Sequence, residues 1–402
     1  MKYLFLRMKR FCGFIAGIVF FIAGIFKLLD PIGAGLVMKE YMDFFHFGFL
    51  SVLAKPLAVA LAFLETMVGA ALVTGIWRRL SAIIALAFQI FFTVVTLILV
   101  IFNPQMDCGC FGEVIHLTHL ETFLKNLILL ALLCLFTFPL RHLGAPKKHK
   151  YVSFGIVTFS IAAFTAYSWT HLPLMDFTAF KPAAALQAGS AFGLSDEELF
   201  DAVFVYEKDG TVQEFTLEAL PDSTWSFVET RTVMNDDLDY ETANLSFYDA
   251  DGEYQDTLAV KGKVMVVSIY NPEVNAKWKS VASFITNAEN TGFRPLLLVC
   301  SSPEQMETVF AKYPDHRNVL EKFLYYSDYK TLIAMNRSNG GVTYFSDGYL
   351  VRKWSSAASP DVAELNEMSV GDDTESIIES DTQGRLAFQG FMLYVFAIML
   401  LL

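Results

Sequence analysis

The chain is short of positive charge in its water-soluble part. Residues 172–385 carry 35 Asp and Glu against 16 Lys and Arg, a net charge of −19. A phosphate backbone needs a basic face, so nucleic acid is excluded as a partner. A Gly-rich phosphate loop, an HExxH helix and a serine-triad pattern are all missing, which excludes the nucleotide, zinc-protease and serine-hydrolase classes that depend on them. Cysteine is scarce too. Of five cysteines in 402 residues, the stretch 172–385 holds only Cys300. That excludes dithiol exchange carried out by this part alone.

What the chain has in abundance is apolar length. Hydrophobic residues make up 54% and the mean hydropathy is +0.42, too apolar for a soluble protein of this size. The apolar runs concentrate in residues 11–171, and the composition breaks near Pro173. Residues 11–29, 56–76, 80–102, 121–140 and 151–172 read as five spans. Each is about 20 residues, the length that a hydrocarbon core of about 30 Å requires. Residues 30–55 are mixed and read as a loop with a short interfacial helix. Residues 386–402 are uncharged and read as a sixth, C-terminal span, or alternatively as a tail helix packed on the soluble domain. Most of the phenylalanines fall in the spans, where lipid contact and packing account for them.

Charge orients the set. Lys2, Arg7, Lys9 and Arg10, then Arg78 and Arg79, then Arg141, Lys147, Lys148 and Lys150 all fall on one side. By the positive-inside rule that side is the cytoplasm. The loop 103–120 and residues 173–385 then face the periplasm of a bacterial inner membrane, where disulfides persist. Cys12 and Cys134 fall in or near the cytoplasmic halves of their helices and receive no role.

After Pro173 the pattern becomes that of an α/β domain. Residues 202–207 and 213–217 read as strands around Asp209-Gly210, a hairpin signal. Residues 225–233 read as a third strand. The nearly continuous apolar run 264–270 suits a strand buried on both faces. Helices over 278–287, 303–313 and 330–336, strands over 295–300 and 323–327, and a hairpin around Asp347-Gly348 complete a small domain with a mixed sheet. The expected organisation is a membrane bundle over 1–172, a β-rich connecting segment over 173–243, a soluble domain over 244–358, an acidic solvated linker over 359–385 and the final span.

The stretch Asp107-Cys108-Gly109-Cys110-Phe111-Gly112 is the most informative in the chain. Two thiols that close can bond to each other, share a metal, or do neither. A bridge between them needs a tight, strained loop, which Gly109 permits, and strain makes a disulfide easier to reduce. The pair would then cycle between dithiol and disulfide at the membrane surface, within reach of a membrane quinone; no cofactor is marked by a motif. In the metal reading, His116 and His119 join Cys108 and Cys110 as zinc or copper ligands, although Cys-x-Cys is an uncommon zinc spacing. In the structural reading the loop is a glycine turn that caps the bundle.

Phe21-Ile22-Ala23-Gly24 leading to Lys27 and Asp30-Pro31, Glu65 followed by Gly69 and Gly75, and the double-cysteine loop resemble the MauE/DoxX family of redox-associated bacterial membrane proteins, over about residues 10–140. Residues 245–252 and 261–270 are similar to the opening of membrane-anchored thioredoxin-like proteins, and 337–348 to their closing hairpin. Two departures stand out. Where such proteins place Cys-x-x-Cys, this chain has residues 271–277 without a cysteine, and where they place a cis-proline it has Gly340-Gly341. The whole layout resembles a group of membrane proteins from Bacteroidota.

Glu65 lies mid-span, where a bare carboxylate is expensive. Lys27 and Gln89 are its candidate partners. Glu65 serves either as a proton or quinone-binding group or as a buried contact that fixes helix register. Cys300 reads as a core cysteine that could otherwise exchange with Cys108 or Cys110. Two functions follow. One is a redox membrane protein in which Cys108 and Cys110 support periplasmic thiol–disulfide or quinone-linked electron transfer, with Glu65 and Lys27 assisting. The other is a non-catalytic membrane scaffold whose degenerate thioredoxin-like domain binds a periplasmic or membrane protein partner.

Overall fold

A computed structural model describes residues 2–104, 106, 108–115, 117–138, 148–187, 200–208, 211–215, 221, 225–234, 242–273, 277–371 and 373–401. Asp107, His116, Arg141, Lys147, the Asp209-Gly210 turn and residues 274–276 lie outside them. The chain divides into two compact units, one made of Met1–Thr178 with Ile378–Leu402, the other of Ala179–Ile377.

The first unit is helical. Its elements are α1 (Lys2–Leu29), α2 (Pro31–Phe44), α3 (Ala54–Thr74), α4 (Arg78–Phe102), the short strand β1 (Cys110–Glu113), α5 (His119–Thr137) and α6 (His149–Thr170). Among the described residues, six helices are long and apolar enough to cross a membrane: Arg7–Leu29, Gly48–Thr74, Arg78–Phe102, His119–Thr137, His149–Thr170 and Ser376–Leu401. α1 is central and packs against α3, α5 and α6. It meets α3 at small residues. A Cβ on Gly24 would come 2.7 Å from the Thr66 amide nitrogen, so the two backbones touch there.

The segment 30–55 holds more helix than a loop with a short interfacial piece. Asp30 accepts from the Ile32 and Gly33 amides, Pro31 opens the helix, and α2 runs for 14 residues before a 3₁₀ turn over Gly48–Leu53. At 1.5 Å per residue α2 is too short to cross a bilayer.

Among its described residues the second unit has two sheets. Its elements are β2 (Ala185–Gln187), β3 (Phe200–Lys208), β4 (Thr211–Phe215), β5 (Ser226–Met234), β6 (Thr242–Asn244), β7 (Lys263–Ile269), α7 (Trp278–Asn290), β8 (Arg294–Val299), α8 (Pro303–Lys312), α9 (Arg317–Lys322), β9 (Leu324–Tyr326), α10 (Tyr329–Met335), β10 (Gly341–Ser346), β11 (Tyr349–Trp354) and α11 (Val362–Val370). β4-β3-β5 form a small antiparallel sheet. The larger sheet has the order β6-β2-β11-β10-β7-β8-β9. β7, β8 and β9 run parallel, while β10 is antiparallel to both β7 and β11.

The central strand behaves as its apolar run requires. Met265, Val267 and Ile269 pack with Trp278, Ile285, Phe310 and Leu365 on one face. Val264 and Val266 pack with Phe247, Leu332 and Met335 on the other. Both faces are therefore covered, and alternate side chains serve opposite layers. The boundary expected at residue 244 shifts, because β2 and β6 extend this sheet from within the connecting segment.

The acidic stretch 359–385 is not the solvated linker that its composition suggests: residues 362–370 and those from 373 on are helical. Asp361 and Glu364 form a capping box for α11, whose Leu365 is fully buried. The next helix, α12, spans Asp373–Leu401. Asp373 accepts hydrogen bonds from the Tyr344 and Ser346 hydroxyls at 2.7 Å and pairs with Lys263 at 3.6 Å. At its far end α12 lies in the helical unit. Lys150 donates to the Met399 carbonyl at 3.2 Å, Ser153 donates to that of Ile398 at 2.7 Å, and Phe391 stacks on Phe164.

Candidate functional site

The site is built where the loop after α4 folds back over α1 and α2. Gly109 (φ +58°) and Gly112 (φ +60°) both sit in the left-handed region. A Cβ on Gly109 would also collide with the Val37 side chain, so the turn between the cysteines needs glycine for two reasons. All five cysteines are thiols, Cys108 and Cys110 included. Cys108 is 6% exposed and Cys110 is half-buried.

Thr118 caps α5 and places His119 in its first turn. His119 Nδ1 lies 2.9 Å from Cys108 Sγ, and its Nε2 lies 3.0 Å from the Pro104 carbonyl oxygen. A carbonyl only accepts, so Nε2 carries a proton and donates it. In the neutral ring this leaves Nδ1 as the acceptor for the Cys108 S–H. Cys108 therefore has a base in direct contact. Tyr41 on α2 donates its hydroxyl to the Cys108 carbonyl at 2.9 Å. Burial first, then the neighbouring Cys110 and Cys108, pushes the Tyr41 phenol up, so it stays a donor.

Below the loop, Lys27 Nζ contacts Glu65 Oε2 at 2.7 Å. The mid-span carboxylate is paired, as its cost in a bilayer demands. Gln89, the other candidate partner, instead donates to the Asn126 carbonyl at 3.0 Å. A cavity of about 510 Å³ joins the two groups, with Lys27, Tyr41, Cys108 and Cys110 in its wall and apolar side chains over most of the rest.

The residues singled out in the sequence thus converge. Cys108, Cys110 and Lys27 line one cavity, and Glu65 is ion-paired with Lys27. His119 joins the cysteines by contacting Cys108. Among the described residues, no group of three or more His, Cys, Asp or Glu could hold a metal ion, and His116 lies outside them. Tyr41 was not legible as part of the site. The capping box Thr118-x-x-Glu121 was the available signal for where His119 would stand.

Cys300 belongs to the other unit, after β8, and is half-buried. Burial, then Asp328, pushes its thiol up. The cavity between the end of β7, α7 and Gly340 is about 20 Å³, room for a water and nothing larger.

No curated protein and no solved structure matches the chain. Residues 200–235, which cover the β3–β5 sheet, match a domain of unknown function, DUF8463. Residues 3–139 match the family of methylamine utilisation protein MauE, a stretch that contains Lys27, Tyr41, Glu65, Cys108, Cys110 and His119. The chain is a multi-pass membrane protein whose first 139 residues carry a MauE-like domain.

Proposed function

We propose that the protein is a membrane thiol–disulfide oxidoreductase, with Cys108 and Cys110 as the reacting pair and His119 as the proton carrier. The observation that carries this reading is the 2.9 Å contact between Cys108 and His119 two residues from a second thiol. In the oxidised form, a substrate thiolate attacks Cys110, the more accessible sulfur. The Cys108–Cys110 bond breaks, and Cys108 leaves with the proton that His119 took from the attacking substrate thiol. The second substrate thiol then attacks the mixed disulfide and releases Cys110. The substrate becomes a disulfide, and the site returns to the dithiol present in this structure.

The charge clusters support a bacterial inner-membrane location, with the N-terminus in the cytoplasm and the cysteine loop and residues 173–385 in the periplasm. The strand order β9-β8-β7-β10-β11 supports a thioredoxin-like reading of the soluble domain, with β2 and β6 added at one edge. That domain holds no cysteine pair. It serves as a binding module for a periplasmic protein, the role that a purely scaffolding protein would share. The family's name links it to methylamine utilisation; the substrate thiols belong to a protein of the same compartment.

The test is to trap the cysteines in membranes with a mass-tagging maleimide after mild oxidation and after reduction. The proposal expects a difference of two tags, lost in the Cys108→Ser, Cys110→Ser double variant. Two tags retained under all oxidising conditions would leave only the scaffold.

A further inference from the structure

The cavity beneath the cysteines is not needed for exchange with a protein substrate, and its chemistry is unlike that of a protein-binding surface. It holds about 510 Å³ within a helical unit that crosses the membrane, the size range of a small-molecule site. Its α4 wall includes Phe91 and Val94, both exposed on a membrane-spanning helix, so it opens sideways to lipid. The walls are apolar apart from Lys27, Tyr41, Thr96 and the two cysteines of the loop. Lys27 spends one donor on Glu65 and has two more. Its ammonium also stands 5.5 Å from the centre of the Phe92 ring, another wall residue.

We propose that this cavity binds the head group of a lipid-soluble quinone, with the tail leaving between α4 and the bilayer. The inference rests on the thiol-pair reading above and supplies its electron acceptor. A quinone head is a flat apolar ring with a carbonyl acceptor at each end, and Lys27 is a donor placed for one of them. The step balances. Two S–H bonds break and one S–S bond forms between Cys108 and Cys110. Two electrons and two protons reduce both carbonyls to hydroxyls, and a hydroquinone departs into the membrane. His119 takes the Cys108 proton as its sulfur becomes nucleophilic and passes it on as one of the two that reach the quinone oxygens.

The experiment uses the full chain, reduced, in detergent and without oxygen. A decyl-tailed benzoquinone and a prenyl-tailed naphthoquinone are added separately, and hydroquinone absorbance is followed with the thiol count. Diamide, a water-soluble thiol oxidant, is the parallel reaction. The expected result is one hydroquinone per two thiols lost with at least one of the quinones. Val95→Trp on α4 and Met38→Trp on α2 each put bulk into the cavity from a different wall. In whichever of them folds, the quinone rate divided by the diamide rate should fall at least tenfold. Oxidation by diamide with neither quinone reduced overturns this inference and leaves the thiol-pair reading standing. Co-purified phospholipid in the cavity with no quinone reduction does the same. A pair that neither oxidant converts overturns both.

Discussion

Cys108 Sγ lies 2.9 Å from His119 Nδ1, while the opposite ring nitrogen of His119 faces the Pro104 carbonyl at 3.0 Å. Three parts of the chain meet in that contact: the end of the loop's first turn, the cysteine pair and the start of α5. The backbone carbonyl fixes which nitrogen is available to sulfur, so the histidine has one orientation and one task.

Replacing His119 with Gln keeps a side chain of similar reach but no base. Alkylation of Cys108 by iodoacetamide at pH 7 should slow about tenfold, and the deficit should close above about pH 8.5, where a thiol ionises unaided. Peptide mass spectrometry of the labelled chain reads this directly. A uniform loss of rate across the pH range would mean that His119 only props the loop.

Lys27 and Glu65 form a pair that neither can leave without cost. Lys27→Met or Glu65→Gln alone strands a polar group in the bilayer and should destabilise the unit by about 3–5 kcal/mol. The double variant should recover most of that, giving a coupling energy of the same order in a double-mutant cycle. Thermal unfolding in detergent measures it. Additive losses would show that the 2.7 Å contact carries no coupling.

Cys300 should be the sluggish thiol of the soluble unit. Its thiol is pushed up, so at any pH between neutral and the raised value it holds less thiolate than an ordinary cysteine. Its alkylation should therefore lag that of a small-molecule thiol at pH 8 and continue to climb at higher pH. Asp328→Asn should speed it only modestly, because burial is the larger cause. Labelling as fast as the free thiol at pH 8 would contradict this.

Much of the fold was legible because water and lipid impose simple patterns. A bilayer forces apolar runs of one length, and five helices follow them within a few residues. Strand β7 was readable because a run buried on both faces needs no alternation. The stretch 359–385 misled for the same kind of reason. Its Asp, Glu and Ser content is that of a solvated chain, yet Leu365 and Asp373 are held by contacts far away in sequence, from the core behind α7 and from Tyr344 and Ser346. In the site, the Lys27–Glu65 pair followed from the cost of a bare charge. The cavity and the Tyr41 contact did not, because both arise only when α2 folds beside the loop.

Gly24 lies one turn before Lys27 on α1, and Thr66 follows Glu65 on α3. The backbones touch at those neighbours, with no room for a methyl group between them. The spacing of the two charges is thus set by an absence. Alanine at position 24, the smallest side chain available, would act as a wedge and lengthen a 2.7 Å ionic contact without touching either ion. In a medium that screens poorly, a small increase in separation is a large change in attraction. The strength of an ionic contact thus depends on the girth of a residue that carries no charge.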